Sequence, residues 1–251
     1  MKSLTWQILL FFIAFRYFLF AGLTWLIWYK VLGKKMAGKK IQLQWPEAAD
    51  LRREIFYSVG TILIFAGVGT LILLTPLRGH TLQYQGMSQY GWVYFALAFP
   101  VMLILHDAYF YWMHRLMHRP GWFKLFHLAH HRSTNPSPWA AFAFHPLEAV
   151  VEAGIFVILV FVMPLHIVHI VAFMSFMMLY NVYGHLGWEL YPKNFSRHWL
   201  GKWVNTSVSH NQHHQHIKGN YSLYFLWWDR AFSTIRTDYD ERFDALKSRG
   251  E

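Results

Sequence analysis

One histidine pattern occurs twice in the sequence, as HLAHH at 127–131 and as HNQHH at 210–214. In each copy, a first histidine is followed three and four residues later by a histidine pair. A third motif, HRLMH at 114–118, has two histidines four residues apart. Residues at i, i+3 and i+4 are neighbours on one side of a helix. We therefore predict that each motif directs its imidazoles at one point, as binding to a metal requires.

The number of these histidines predicts more than one metal ion. A tetrahedral zinc ion takes four protein ligands and a catalytic one usually three, whereas the three motifs supply more. His185 is a further candidate, because its neighbours Gly184 and Gly187 allow the backbone to approach a site closely. The sequence has no cysteine, so the ligands must be nitrogen or oxygen atoms. The predicted ligands are His114, His118, His127, His130, His131, His185, His210, His213 and His214.

Several carboxylates lie near the motifs and are candidates to support them. A metal-bound histidine usually donates its second ring N–H to a carboxylate or a carbonyl. We expect this role for Asp107, Glu148, Glu152, Glu189 and Asp229, with an ordinary interfacial charge as the alternative for each. His106 lies near the ligand face but outside the motif spacing, and metal ligation stays open for it. We assign His80, His166, His169 and His198 to packing or to the membrane interface.

The composition predicts a membrane protein that holds these histidines on spanning helices. Hydrophobic residues make up 55% of the chain and charged residues 14%, against about 25% charged in a soluble domain. Apolar segments at 4–32, 55–77 and 91–113 are long enough to span a bilayer. A longer apolar stretch at 153–188 contains Pro164, which predicts two helices in a hairpin. No small-residue cleavage site follows the first segment, so we expect it to be retained.

The distribution of charge predicts the orientation. The net charge is +10, and the basic residues lie in short loops beside the apolar segments. This arrangement indicates cytoplasmic loops of a membrane protein and disfavours nucleic-acid binding. The predicted fold is all-α, a multi-span transmembrane helical bundle with a cytosolic histidine-rich metal-binding cap. We expect N-terminal spans with a basic loop at 1–90, a catalytic domain at 91–240 and a charged tail at 241–251.

These motifs, in this order, resemble those of a known family. DAYFYWMHRLMH, HLAHHRS and SHNQHHQHIKGNYSLYFLWWDRAF resemble the fatty acid hydroxylase/sterol desaturase superfamily of membrane non-haem di-iron enzymes. The resemblance covers about residues 90–240. PWAAFAFHPLE, MPLHIVHIV and LRREIFYS are most similar to the sterol desaturase, lathosterol oxidase-like branch.

The resemblance implies a reaction and a cofactor. Two iron ions held by the nine histidines would use O₂ and external electrons to hydroxylate or desaturate a lipid at an unactivated C–H bond. It places His145 near the substrate pocket. Glu189 stands where fatty acid hydroxylase members often have a second histidine, so it is either an oxygen ligand or a support for the ligands. Trp139, Phe142 and Phe144 are candidates for lipid contact, with packing as the alternative.

The electrons must come from a partner, because the sequence has neither a dinucleotide-binding fingerprint nor cysteines for an iron–sulfur cluster. We expect a separate b-type cytochrome, ferredoxin or reductase. A bacterial inner membrane and the endoplasmic reticulum both fit the sequence. The substrate stays open among sterols, fatty acyl chains, carotenoids and ether lipids.

The sequence disfavours two other classes of protein. A histidine-rich membrane metal transporter, or a metal-binding protein without oxygenase activity, is the first alternative. It is disfavoured because transport requires polar groups at mid-membrane depth, whereas 55–77 contains no charged residue. A haem-bearing electron carrier is the second, and it is disfavoured because clustered histidines differ from isolated pairs on two spans.

Overall fold

The computed structural model describes residues 5–249, so the outer ends of the predicted first span and of the predicted tail lie outside the described residues. The chain is helical over most of this range. The α-helices are α1 (Trp6–Trp25), α2 (Gly33–Met36), α3 (Ala48–Leu73), α4 (Trp92–Met117), α5 (Leu128–His131), α6 (Pro146–Val162), α7 (Ile167–Gly184), α8 (Ser207–His216), α9 (Trp227–Ala231) and α10 (Tyr239–Lys247). Two π-helical turns cover Leu26–Val31 and Phe123–His127, and short 3-10 turns cover Ala37–Lys39, Pro76–His80, Pro138–Phe142, Phe195–Arg197 and Gly201–Trp203. Two short strands are β1 (Gln83–Tyr84) and β2 (Leu165–His166).

The helices predicted to span the bilayer are present. Four described helices are long and apolar enough to cross a membrane, namely Trp6–Val31, Ala48–Leu73, Trp92–Met117 and Ile167–Gly184. Phe56 and Val93 each leave 74% of their surface exposed, and Phe11 leaves 60%. Side chains of this kind need an apolar solvent around the bundle. The all-α, multi-span fold class is therefore confirmed.

The predicted hairpin is also present. Helix α6 ends at Val162 and α7 begins at Ile167, with Pro164 between them. The apolar composition did not reveal that α6 starts as early as Pro146, a position where proline fits the first helical turn. At the hairpin tip, β2 pairs in parallel with β1, which follows α3.

The segments that connect the long helices lie at two opposite ends of the bundle. The connection from α1 to α3 bonds to the chain just after α7, through the bridge between Lys40 and Trp188. The strands β1 and β2 therefore lie at the opposite end from the three histidine motifs. Helix α10 packs at the histidine end, where Phe243 and Leu246 are buried.

The segment 137–144 enters the bundle between α1, α3 and α7, and it forms the core next to the histidines. The hydroxyls of Tyr17 and Ser58 both donate to the Trp139 carbonyl, at 2.9 and 3.1 Å. Ser137 donates to the buried Glu54. Phe142 stacks on Tyr17 with ring centroids 5.5 Å apart. Helices of the N-terminal half thus hold a segment of the C-terminal half in place.

The packing of α1 on α3 predicts unequal effects of two matched substitutions. A Cβ at Gly69 would lie 2.7 Å from Leu9 Cδ2, whereas a Cβ at Gly67 would meet nothing within 4 Å. Overpacking of this kind costs about 1–3 kcal/mol. We expect Gly69→Val to lower the thermal unfolding temperature in detergent and Gly67→Val to change it much less. Equal shifts would show that α1 does not pack on this face of α3.

Candidate metal centre

The nine predicted histidines come together in two groups. The five-histidine group contains His114, His118, His127, His131 and His213, and the four-histidine group contains His130, His185, His210 and His214. Within each group, one ring nitrogen of every member lies within 4.8 Å of those of the others. His118 is partly exposed, and the other eight are buried.

The prediction that a motif directs all its imidazoles at one point holds for HRLMH and is wrong for HLAHH and HNQHH. In HLAHH, His127 and His131 join the five-histidine group while His130 joins the other. In HNQHH, His210 and His214 share one group while His213 joins the other. The reason is helical geometry, because successive residues are rotated by about 100° and i, i+4 pairs align better than i, i+3 pairs. HLAHH and HNQHH therefore each contribute to both groups, whereas both histidines of HRLMH lie in the five-histidine group.

The outer ring nitrogens of five histidines are held by hydrogen bonds. The Nδ1 atoms donate to backbone carbonyls in four cases and to a carboxylate in the fifth. The bonds are His114 to Tyr221 O at 2.8 Å, His185 to Asn181 O at 2.7 Å, His213 to Gly219 O at 2.7 Å, His214 to Ser133 O at 2.9 Å and His127 to Glu148 Oε1 at 2.6 Å. A carbonyl oxygen only accepts, so in the four neutral rings that bond to carbonyls the proton is on Nδ1 and the Nε2 lone pair points inward.

The inner nitrogens have the spacing of metal ligands. The Nε2 atoms of His114 and His127 lie 2.9 Å apart, and that of His185 lies 3.1 Å from those of His210 and His214. Bonds of about 2.0–2.1 Å from one metal to imidazole place neighbouring ligand nitrogens about 2.9–3.4 Å apart. Unprotonated Nε2 atoms at this distance repel each other unless a cation lies between them. The donor set therefore fits a metal in each group.

Burial keeps these rings neutral. Burial lowers the pKa of His127, His131 and His213 well below the ordinary value, and the charge of neighbouring histidines lowers it further. Both ring nitrogens of His131 and the Nε2 of His213 are buried without a hydrogen-bond partner among the described residues. An unpaired buried polar atom costs free energy, and binding a metal would remove that cost.

Two of the candidate carboxylates hold the loop that positions His114. Asp229 accepts from the backbone N–H groups of Tyr221 and Ser222, both at 2.9 Å. Asp107 accepts from the N–H of Tyr224 at 2.7 Å and from the indole of Trp227 at 2.8 Å. The Tyr221 carbonyl, which receives the His114 proton, is thus fixed from both sides. We expected these carboxylates to accept directly from a histidine of the groups. They bond instead to the loop whose carbonyl accepts from His114.

Glu148 and Glu189 have different positions. Glu148 accepts directly from His127. Glu189 accepts from the Tyr183 hydroxyl at 2.5 Å and from the Val208 N–H at 3.1 Å, so it fixes the start of α8. It belongs to neither histidine group.

Two further candidate histidines, His145 and His106, lie outside the two groups. His145 lies at the start of α6, where its Nδ1 accepts from the Leu147 N–H at 3.4 Å. Its expected place at a substrate pocket stays a prediction. His106 Nδ1 lies 3.0 Å from the Tyr224 hydroxyl, and His106 is in neither group.

Sequence reasoning missed the groups that bond to the histidines through the backbone. The carbonyls of Ser133, Gly219 and Tyr221 leave no signal in the sequence, because every residue has one. Asn181 had a possible signal, as a polar residue one helical turn before His185 in an apolar stretch. Its carbonyl accepts from His185, and its side chain donates to Ala141 O at 2.7 Å.

Comparison with known proteins agrees with the motifs. The sequence model of the fatty acid hydroxylase family matches residues 99–234, more than half of the chain. This chain belongs to the fatty acid hydroxylase family. The match includes all nine histidines of the two groups.

Several relatives that this chain resembles are sterol enzymes by name. A Delta(7)-sterol 5(6)-desaturase, ERG3B of Gibberella zeae, is 29% identical over 192 residues, which cover 76% of this chain and 58% of that protein. Another, erg3C of Aspergillus fumigatus, is 30% identical over 222 residues, covering 79% of this chain and 68% of that protein. Lathosterol oxidase of Rattus norvegicus is 29% identical over 189 residues, covering 74% and 62%. The chain spans less than two thirds of the first and third relatives. No solved structure matches it.

The lowered pKa values predict how stability depends on pH after removal of metal by a chelator. Burial lowers the pKa of His185 from 6.5 to about 4. Below pH 6.5 the unfolded chain therefore binds protons that the folded chain does not, and the free energy of unfolding falls as the pH falls toward 4. We expect the unfolding temperature of chelator-treated protein in detergent to drop over this interval and to stay level from pH 7 to 8. A flat profile below pH 6.5 would contradict the burial of neutral imidazoles.

Proposed function

We propose that this protein is a membrane oxidoreductase that uses O₂ and external electrons to hydroxylate or desaturate a lipid. The observation that carries the proposal is the convergence of nine imidazoles, in two groups, at one end of an apolar helical bundle. Membership of the fatty acid hydroxylase family supports the same reaction class.

The proposed metals are two iron ions, one in each group. Imidazole nitrogen suits iron, zinc, copper and nickel, and the requirement for redox chemistry favours iron over zinc. Bound iron supplies the power to activate O₂ and to oxidise an unactivated C–H bond. The protein contributes the ligands, with all nine histidines proposed as ligands. Tyr221 O, Asn181 O and Glu148 fix the rings by accepting their Nδ1 protons.

The proposed substrate is a sterol or another apolar lipid that enters from the bilayer. The relatives named above act on sterols by their names. Phe144 supports the position of the substrate, because its ring lies 5.3 Å from that of His130. Phe142 packs beside it against Tyr17. An apolar wall at this place would direct the lipid chain toward the four-histidine group and exclude water.

The proposed division of the chain keeps residues 91–240 as the catalytic domain, with 1–90 as N-terminal spans and 241–251 as a tail. All nine histidines lie in the middle segment. The flanking segments support it, since the Lys247 ammonium donates to the Glu189 carbonyl at 2.8 Å.

The proposed electron donor is a separate protein with an acidic surface, of the b-type cytochrome, ferredoxin or reductase kind. His118 is the partly exposed member of the two groups, so it lies closest to a docking partner. Arg119, Lys124 and Arg132 are exposed in the same part of the chain, and no acidic residue occurs between Asp107 and Glu148. A basic surface of this kind attracts an acidic partner. By the positive-inside rule we place this face in the cytoplasm, at a bacterial inner membrane or the endoplasmic reticulum.

The first test measures metal and chemistry on the purified protein. We expect about two irons per chain and no haem absorption band, because the two groups supply separate nitrogen donor sets. His118→Ala and His185→Ala should each remove about one iron and reduce lipid oxidation to background. Lipids from cells with and without the gene, grown under oxygen, would identify the substrate.

The outcomes separate the alternatives. Iron content that neither substitution changes would overturn the two-metal assignment. Full metal content with unchanged cellular lipids would favour the metal-transport or metal-storage alternative over an oxidoreductase.

Charge reversal tests the donor surface. Lys124→Glu should slow reduction of the iron by an acidic donor about 10-fold at low salt, with the difference shrinking as salt rises. Arg78→Glu is the matched control, because Arg78 is exposed at the opposite end of the bundle. Equal effects of both changes, measured by stopped-flow absorbance, would place the donor elsewhere.

A further inference from the structure

The connection between α1 and α3 contains a buried cation. Lys40 is fully buried, and its ammonium donates to the Gln42 carbonyl at 2.9 Å and to Asn135 Oδ1 at 3.1 Å. The ammonium also lies over the rings of Trp188 and Trp45, at 5.7 and 6.0 Å from their centroids. Burial of a charged lysine is costly unless it is paired in this way. The buried charge of Lys40 is therefore stabilised only while Asn135 and the aromatic rings hold their positions.

Gln42 connects the same loop to two histidine motifs at once. Its side-chain N–H₂ donates to the Thr134 carbonyl at 2.8 Å and to Asn211 Oδ1 at 2.9 Å. Thr134 lies shortly after HLAHH, next to Ser133, whose carbonyl accepts from His214. Asn211 lies within HNQHH, directly after His210. One amide group thus joins the segment after α5 to helix α8.

The loop also bonds to the segment that follows His185. The Ile41 N–H donates to the Gly187 carbonyl at 2.9 Å, and Lys40 forms a bridge with Trp188. From the end of the first span, the Tyr29 hydroxyl donates to the Leu186 carbonyl at 3.1 Å. The loop is therefore bonded to all three chain segments that supply the four-histidine group.

The five-histidine group is held differently. His114 and His118 lie at the end of α4, and among the described residues the loop 36–45 makes no hydrogen bond to that helix. His127 is fixed by Glu148, and the loop that receives the His114 proton is fixed by Asp107 and Asp229. The loop therefore bonds to every segment that supplies the four-histidine group, whereas α4, which supplies two ligands of the five-histidine group, has supports of its own.

We propose that Lys40 and Gln42 are positioning residues that set the four-histidine group for metal binding and affect the five-histidine group much less. The inference deepens the proposed function, since it takes each group to hold one metal. His130, His185 and His210 come from separate chain segments, and their Nε2 atoms must meet within a few tenths of an ångström of ligand distance. The loop supplies that alignment from outside the metal sites.

The test compares two glutamines of the same loop. Gln42→Ala removes the amide that joins Thr134 to Asn211. Gln44→Ala is the matched control, because the Gln44 side chain is exposed and makes no hydrogen bond among the described residues. Purified apoprotein in detergent is titrated with ⁵⁷Fe(II), and the bound iron is examined by Mössbauer spectroscopy. His185→Ala and His118→Ala identify the signals of the four- and five-histidine groups.

We expect Gln42→Ala to weaken iron binding about 10- to 100-fold at the four-histidine signal, with a much smaller loss at the five-histidine signal, while Gln44→Ala binds as the unaltered protein does. Asn211→Asp should retain binding, because it keeps the oxygen that accepts from Gln42, and the Asn211 Nδ2 makes no hydrogen bond to any residue from 5 to 249. Asn211→Leu should reproduce the Gln42→Ala loss. Lys40→Met, which keeps the length of the stem without the charge, should give the same selective loss.

Three results would overturn the inference: undiminished binding in Gln42→Ala, equal losses at both signals, or a loss of the same size in Gln44→Ala. A single iron signal in the unaltered protein would instead contradict the proposed function. Fluorescence-detected size-exclusion chromatography establishes that each variant is folded. If Gln42→Ala fails this check, the pair Asn211→Asp and Asn211→Leu decides the question.

Discussion

Repulsion between unprotonated imidazole nitrogens is the constraint on which the rest of the structure depends. Nε2 lone pairs meet at about 3 Å in a buried space, where protonation is disfavoured. Without a cation, this arrangement opposes folding. The hydrogen bonds that the Nδ1 atoms donate, the carboxylates at the loop beside His114 and the buried lysine of the first loop all hold the rings against that repulsion.

The membrane bundle and the histidine cap depend on each other. The spans end at different points in the sequence, yet the ends of α1, α4 and α7 meet in one layer that carries the motifs. The segment 137–144 passes from this layer into the bundle, where Tyr17 and Ser58 hold the Trp139 carbonyl. Apolar packing thus fixes the depth of the metal site relative to the bilayer.

Much of this was predictable from the sequence, because apolar length and histidine spacing are local signals. They predicted the first three spans, the hairpin at Pro164 and the nine histidines that converge. The division of HLAHH and HNQHH between the two groups depends on how each helix is rotated relative to its neighbours, which the sequence does not reveal. The support by Gln42 and by backbone carbonyls required tertiary contacts across long sequence separations, which single residues do not reveal.

The interleaving of the motifs has a consequence for how the site can change. Helix α8 carries His213 for one group and His210 and His214 for the other, only one helical turn apart. A rotation or a shift of this helix moves ligands of both groups together. The spacing between the ligands that α8 gives to the two groups is therefore fixed by the geometry of one helix, and it stays the same when that helix moves.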